Sequence, residues 1–147
     1  MSKAIYITTI EPNSGKSLVS LGVLRMMLTK STKVGYFRPI ISSKSNEKED
    51  NHILTAIDFF NLDLSYNDCY AYEQNEVVSL LSSGKEDKVI QHIIKKYKTL
   101  ESKYDYVLVE GTDFSHENSS LELDINILIS KNLGLPVIIV SQGDNKS

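Results

Sequence analysis

The sequence predicts an α/β fold with parallel strands, and the order of its apolar runs carries this prediction. A short apolar run, residues 4–9, leads through a polar turn into a longer apolar segment, residues 16–30. A second short run, residues 34–37, follows. Strand, helix and strand in this order form a β-α-β unit, whose two strands lie parallel because the helix returns the chain to the same end of the sheet.

The turn after the first strand ends in Gly15-Lys16-Ser17, where the helix begins. A strand that breaks into such a turn and opens a helix is typical of a phosphate-binding loop, or P-loop. Backbone N–H groups at a helix N-terminus lack intrahelical partners, and the helix dipole adds positive charge, so phosphate binds there. Gly15 would let the backbone approach, Lys16 would reach the terminal phosphates and the Ser17 hydroxyl would ligate Mg²⁺.

The match to the complete P-loop motif has one gap. The motif places a glycine five residues before Gly15, and this chain has Ile10 there. A glycine-containing turn that joins a strand to a helix without binding phosphate is therefore the structural alternative. We prefer the P-loop because Gly-Lys-Ser lies between a strand and a helix, as the motif requires.

A second signature lies at residues 104–111, an apolar strand that ends in Glu110. In P-loop proteins an acid at the end of such a strand contacts magnesium directly or through water. The alternative is that Glu110 caps the following turn. The three histidines, His52, His92 and His116, share no metal-ligand spacing, so we interpret them as ordinary surface or packing residues.

The remaining elements follow from periodicity and turn residues. The first helix is apolar around most of its circumference, so we expect it to be covered on most sides, and we expect the second strand to end at Arg38-Pro39. Residues 61–69 are predicted to form a loop. Helices are predicted at 50–60, 76–81, 86–101 and 121–132, the last with an alternative strand pattern, and a final strand at 136–141.

Composition narrows the class of function. A chain of 147 residues is expected to form a single domain, 1–147, and a net charge of −3 with a pI near 5.6 argues against nucleic acid as a partner. The single cysteine, Cys69, excludes an internal disulfide bond. No signal-peptide pattern and no apolar segment of membrane-spanning length are present, so we expect a cytoplasmic protein without a membrane partner.

Four segments together resemble a known family. They are residues 5–17 with Glu-Pro-Asn-Ser-Gly-Lys-Ser, residues 35–40 with Arg-Pro-Ile, residues 104–111, and residues 132–141. This pattern is similar to the dethiobiotin-synthetase-like N-terminal domain of long-form bacterial phosphate acetyltransferases. The resemblance implies a Rossmann-like, doubly wound and mainly parallel sheet of the P-loop type. Such a sheet would bind Mg²⁺ with ATP or another nucleotide at the carboxyl ends of its strands.

The resemblance also implies partners and site residues. Acyl transfer, acetyl-CoA plus phosphate giving acetyl phosphate plus CoA, would belong to a separate C-terminal domain of the same chain, and the protein would form a homo-oligomer. The sheet would continue beyond residue 147, so we expect a C-terminally truncated domain. The implied nucleotide-binding residues are Glu11, Asn13, Ser14, Gly15, Lys16, Ser17 and Arg38, and the implied metal-binding residues are Ser17, Asp50 and Glu110.

The chain departs from dethiobiotin synthetase itself at two places. A glycine-rich loop of that enzyme is replaced by residues 112–114, and Arg38 stands where the enzyme has a lysine, which a planar guanidinium does not replace. Asp50 stands near its magnesium-binding aspartate and is equally explained as a helix N-cap. We therefore expect a regulatory or assembly domain. The alternatives are an ATP-dependent ligase of the dethiobiotin type and a degenerate loop serving oligomerisation.

Overall fold

The computed structural model describes residues 3–9, 15–42, 49–112 and 119–143. Within these ranges a parallel sheet has the strand order β3-β2-β4-β1-β5, and helices cover both of its faces. The doubly wound α/β prediction is thus confirmed. The strands are β1 (Lys3–Thr9), β2 (Val34–Ile41), β3 (Tyr70–Glu73), β4 (Tyr106–Glu110) and β5 (Val137–Val140). The helices are α1 (Lys16–Leu28), α2 (Asn51–Phe60), α3 (Gln74–Ser82), α4 (Glu86–Glu101) and α5 (Ser119–Leu133), with a 3₁₀ turn at Tyr66–Cys69.

Each face of the sheet has its own apolar core. Because side chains alternate along a strand, Leu108 points to one face, and Val107 and Val109 point to the other. Helices α1 and α2 pack on the first, which we call the α1–α2 face. Helices α3, α4 and α5 pack on the second, the α3–α5 face.

The strand register brings three carboxyl ends to one edge of the sheet. In β1 and β4, Ile7 lies opposite Glu110, and in β2 and β4, Phe37 lies opposite Val109. In a parallel sheet the loops that follow these strands therefore meet at this edge, where ligands of such folds bind. The start of α1 lies here, as the sequence predicts.

The prediction was wrong about the end of the second strand and did not include the third. Strand β2 does not end at Arg38-Pro39 but continues to Ile41, because Arg38, Ile40 and Ile41 pair with β3. Pro39 is tolerated because it has no registered partner in the described ladders, so its missing N–H breaks no pairing there. Strand β3 was not predicted, since its four half-buried or exposed residues give no apolar alternation.

The expectation that α1 is covered on most sides was also wrong for the described part of the chain. One stripe of α1 is buried, and its members are Lys16, Ser20, Leu24 and Met27. On the opposite side the side chains of Leu18 and Met26 are 77% and 63% exposed. The buried stripe includes a lysine and a serine, so apolar periodicity alone could not identify it. Among the described residues, no helix is both long and apolar enough to cross a bilayer.

Candidate functional site at the carboxyl edge of the sheet

The N-terminus of α1 is open to a ligand. Gly15 is its N-cap residue and has a φ of 85°, a left-handed conformation that glycine adopts without strain. Among the described residues no side chain caps this helix end, and the first turn of α1 contains no acidic residue. The first N–H groups of the helix and the positive end of its dipole therefore remain available to an anion.

The Lys16 side chain turns inward from this helix end. It is 96% buried, since only 4% of it is exposed, and its ammonium donates a hydrogen bond to the Gly111 carbonyl at 2.8 Å. Gly111 directly follows β4 and donates its own N–H to the Ile7 carbonyl at 2.7 Å. Lys16 therefore links the start of α1 to the turn after β4.

Glu110, at the end of β4, is a buried carboxylate surrounded by donors and cations. Tyr36 donates its hydroxyl proton to Glu110 Oε2. Burial raises the pKa of Glu110, but the interaction with His52 and the charges of Arg38 and Lys16 outweigh it and lower that pKa from 4.5 to about 2. Glu110 is thus ionised at neutral pH, as an acid that contacts a cation must be. Burial and the Glu110 charge raise the pKa of Tyr36, which keeps its proton.

Arg38 and Asp50 form a second buried pair. The Arg38 side chain is 1% exposed, and its Nη1 lies 3.4 Å from Asp50 Oδ1. Asp50 is also the N-cap of α2, where Oδ1 accepts the Ile53 N–H at 3.1 Å. The N-cap interpretation of Asp50 is therefore confirmed, and the proposed roles of Arg38 in nucleotide binding and of Asp50 in metal binding remain predictions.

His52 is the residue that the sequence interpretation missed. Its Nδ1 lies 3.4 Å from Ser17 Oγ and 3.6 Å from Glu110 Oε1, so it connects both predicted metal ligands. It is therefore more than an ordinary surface residue. Its position in the first turn of α2, two residues after Asp50, was the available signal. His92, by contrast, packs against Tyr72, with 4.9 Å between the centres of the two rings, as expected of a packing residue.

A cavity of about 190 Å³ opens between α1 and α2 beside these groups. Ser17, His52 and Glu110 lie on its wall, and so does Ser20. Glu110 Oε1 and Ser20 Oγ are buried and have no hydrogen-bond partner among the described residues. An ionised oxygen that accepts no hydrogen bond of normal length from the described residues, beside a hydroxyl and a cavity, fits a hydrated divalent cation.

The turn after β4 is fixed by Asn126 of α5. Its Oδ1 accepts the Tyr6 hydroxyl at 2.6 Å and the Thr112 N–H at 3.2 Å, and its Nδ2 donates to the Thr112 carbonyl. A Cβ atom at Gly111 would lie 2.8 Å from Asn126 Oδ1, so a larger residue there would have to displace the Asn126 amide. Asn126 thereby positions the Gly111 carbonyl, which accepts the Lys16 hydrogen bond. The sequence interpretation missed this role, although an asparagine within an apolar helix was a signal.

The remaining predicted residues lie in parts of the chain that are not described. Glu11, Asn13 and Ser14 belong to the P-loop but fall outside the described residues, as do Ile10 and His116. Within residues 3–9, 15–42, 49–112 and 119–143, no group of three or more His, Cys, Asp or Glu side chains is arranged to hold a metal ion. A cation at Ser17 and Glu110 would therefore need further ligands, such as phosphate oxygens, which P-loop sites supply.

Comparison with known proteins agrees with this geometry. The family model AAA_26, described as an AAA domain, matches residues 3–147. The chain belongs to this family. Its sequence is 42% identical to a phosphate acetyltransferase of Nitratidesulfovibrio vulgaris over 147 residues, which cover all of this chain and 21% of that protein. A phosphate acetyltransferase of Synechocystis is 41% identical over 140 residues, which cover 95% of this chain and 20% of that protein.

A more distant relative is the ATP-dependent dethiobiotin synthetase of Clostridium perfringens, 28% identical over 96% of this chain and 65% of that enzyme. The resemblance to the N-terminal part of phosphate acetyltransferases is thus confirmed. The chain spans about a fifth of the length of those relatives. Among solved structures, an apo-form GTPase of Pyrococcus abyssi matches 92% of this chain and 65% of its own, with 14% identity and a TM-score of 0.40.

Proposed function

We propose that this AAA_26 domain binds the phosphates of a magnesium nucleotide and serves regulation or assembly in a phosphate acetyltransferase. The observation that carries nucleotide binding is the uncapped N-terminus of α1 with Lys16 and ionised Glu110 beside it. A cationic side chain and a cation-binding acid at such a helix end are what a metal–phosphate complex requires. The similarity to phosphate acetyltransferases over the whole chain supports the parent function.

Acyl transfer itself is assigned to another part of such a protein. The chain matches only about a fifth of the phosphate acetyltransferases, so the acyltransferase site lies in the larger remainder of those proteins in this proposal. The partner of this domain is then a C-terminal acyltransferase domain of the same chain, in a cytoplasmic homo-oligomer. Nucleotide bound at the carboxyl edge of the sheet would regulate how the two domains act together.

We propose that phosphates, and not the base, provide most of the affinity. The described contacts at this edge are those of a phosphate and cation site: a helix N-terminus, an ammonium and a carboxylate. Arg38, the residue in place of a phosphate-facing lysine, is buried beside Asp50. Charge complementarity of this kind discriminates little between bases. Affinity from few contacts is offset by lost translational freedom, so binding in the high-micromolar range or weaker follows.

A competition titration in magnesium buffer tests this proposal. ATP, GTP and inorganic triphosphate should displace a fluorescent nucleotide from the purified protein at similar concentrations. Submicromolar ATP binding with rejection of GTP would contradict it and favour the alternative, an ATP-dependent ligase of the dethiobiotin type, in which Lys16, Ser17 and Glu110 activate a carboxylate by phosphoryl transfer. No binding of any triphosphate would favour the oligomerisation module.

An activity assay tests the assignment of acyl transfer. The protein of residues 1–147 should form no acetyl phosphate from acetyl-CoA and phosphate. Turnover that co-purifies with the protein through successive columns, and is absent from a mock purification, would contradict this proposal.

A further inference from the structure

Three unlike side chains meet at the mouth of the cavity between α1 and α2. Ser17 contributes a hydroxyl from the first turn of α1, Glu110 a carboxylate from the end of β4, and His52 an imidazole from the first turn of α2. Each therefore comes from a separate element, and the fold brings them together. His52 Nδ1 lies close to both oxygens, 3.4 Å from Ser17 Oγ and 3.6 Å from Glu110 Oε1.

These distances suit ligands that share one small cation. Two ligands about 2.1 Å from an ion lie about 3.0 Å apart at a right angle and about 3.4 Å apart at the tetrahedral angle. The distances from His52 Nδ1, 3.4 and 3.6 Å, are close to that spacing and long for hydrogen bonds. His52 Nδ1 therefore lies at the spacing of two ligands of one cation from each of the two oxygens.

The buried carboxylate oxygen gives an independent indication of a ligand. Glu110 Oε1 has no hydrogen-bond partner among the described residues, although Glu110 is 98% buried, with 2% exposed. The neighbouring cavity of about 190 Å³ has room for an ion with water, and Ser20 Oγ on its wall is likewise without a described partner. The His52 side chain is 35% exposed, so the site is open to solvent.

The imidazole changes which cation the site prefers. Mg²⁺ takes oxygen ligands, and imidazole suits zinc, nickel and related transition ions. We propose that His52 is a third protein ligand beside Ser17 and Glu110, and that the site binds a phosphate complex of a divalent transition ion in preference to the magnesium complex. This inference rests on the proposed nucleotide-binding function, because the phosphates supply the remaining ligands. Asp50, held by Arg38 and Ile53, is not needed for it.

Co²⁺ and inorganic triphosphate are suitable probes, because Co²⁺ resembles Zn²⁺ in its ligands and reports its surroundings spectroscopically. Calorimetry should give an affinity of the protein for Co²⁺–triphosphate about tenfold or more above that for Mg²⁺–triphosphate. Loss of a hydrogen-bond partner of a metal ligand already changes metal affinity by about this factor. His52→Ala should abolish this preference, and His52→Asp, which supplies an oxygen, should reverse it. The matched control is His92→Ala, which removes a histidine from α4 and should leave the ratio unchanged.

Proton NMR of the Co²⁺ complex provides a readout that separates ligation from folding. A strongly shifted imidazole resonance should be present in the wild type and in His92→Ala, and absent from His52→Asp, whose unfolding midpoint serves as the folding check. Equal affinity for both ions together with no shifted imidazole resonance would overturn the His52 site but leave phosphate binding intact. If neither complex binds, both the site and the proposed nucleotide function are overturned.

Discussion

The two faces of the sheet use the same strands for different purposes. On the α3–α5 face, Phe37, Val107 and Val109 pack against the apolar side of α4, including Ile93 and Tyr97. On the α1–α2 face, β2 and β4 each carry one buried charged side chain near the edge at which α1 begins. Leu108 is followed on this face by Glu110, and Tyr36 by Arg38.

The buried charges show what this difference means. The charged side chains that are buried among the described residues are Lys16, Arg38, Asp50 and Glu110, and they belong to α1, β2, β4 and the start of α2. Burying charge costs free energy that only close partners or a ligand offset. We infer that the α3–α5 face mainly stabilises the fold, and that the α1–α2 face gives up part of this stability to hold the site. Four experiments test this division, in order of decreasing expected effect.

Ile93→Ala on the α3–α5 face should have the largest effect on stability. Ile93 is 1% exposed in the apolar core, and truncation of such a residue costs about 2–5 kcal/mol. Urea unfolding should show this loss, while triphosphate affinity of the folded protein stays unchanged. Lys95→Ala, an exposed change on the same helix, is the control and should be nearly neutral. A large loss of affinity in Ile93→Ala would contradict the division between the faces.

Glu110→Gln on the α1–α2 face should have a comparable effect that depends on pH. The folded pKa of Glu110, about 2, lies below its ordinary value of 4.5, so ionised Glu110 stabilises the fold above pH 4.5 and loses this effect as the pH falls towards 2. The shift corresponds to roughly 3 kcal/mol. The free energies of unfolding of wild type and variant should therefore differ by this amount at pH 7 and converge near pH 2.

The control for this prediction is Asp58→Asn, which removes an exposed carboxylate from α2. It should change the free energy of unfolding little at any pH. A constant difference between wild type and Glu110→Gln from pH 7 to pH 2 would show that ionised Glu110 contributes no stability.

Two tyrosine variants compare the faces directly. Tyr36 donates to Glu110 on the α1–α2 face, and Tyr6 donates to Asn126 on the α3–α5 face. Each change to Phe leaves a buried acceptor without this donor and should cost about 1–3 kcal/mol. Because Tyr36 also lowers the pKa of Glu110, the loss of stability in Tyr36→Phe should shrink as the pH falls from 4.5 towards 2, whereas the loss in Tyr6→Phe should stay constant. Urea unfolding at several pH values measures both losses, and a loss in Tyr6→Phe that shrinks in the same way would contradict the assignment of acid sensitivity to the α1–α2 face.

Met26→Gln should have the smallest effect. Its side chain is 63% exposed on the outer surface of α1, and surface substitutions usually change stability by less than about 0.5 kcal/mol. Met27→Gln is the matched change on the buried stripe, where Met27 is 5% exposed. It should strongly lower the midpoint of thermal unfolding. Equal losses in both variants would restore the prediction that α1 is covered on most sides.

The sequence predicted the order of elements where local signals are strong. The apolar run of β1, the Gly15 turn and the amphipathic face of α4 all agree with the structure, and so does the helical interpretation of α5. Strand β3 escaped prediction because its burial depends on pairing with β2, which no local pattern records. The end of β2 was placed too early because Pro39 signals a break unless its missing N–H lies where no partner is registered.

For the site, sequence could predict the residues but not their neighbours. Lys16, Ser17 and Glu110 follow from motif and position, since both signatures lie at strand ends. The approach of His52 to two of them depends on how α2 packs beside α1. Asn126 reaches the turn after β4 from α5, 14 residues further along the chain from Thr112. Such contacts arise from tertiary packing and leave no spacing that a linear motif could show.

Lys16 provides the most direct test of the central claim that the edge at α1 binds phosphate. Isothermal titration of the wild type, Lys16→Ala and Lys30→Ala with magnesium triphosphate would compare the P-loop lysine with an exposed lysine just beyond the same helix. A hydrogen bond between charged groups is worth about 1.5–3 kcal/mol, so Lys16→Ala should weaken binding by about 10- to 150-fold. Lys30→Ala should bind as the wild type does. Equal affinity of Lys16→Ala and the wild type, with both folded at the titration temperature, would contradict the account.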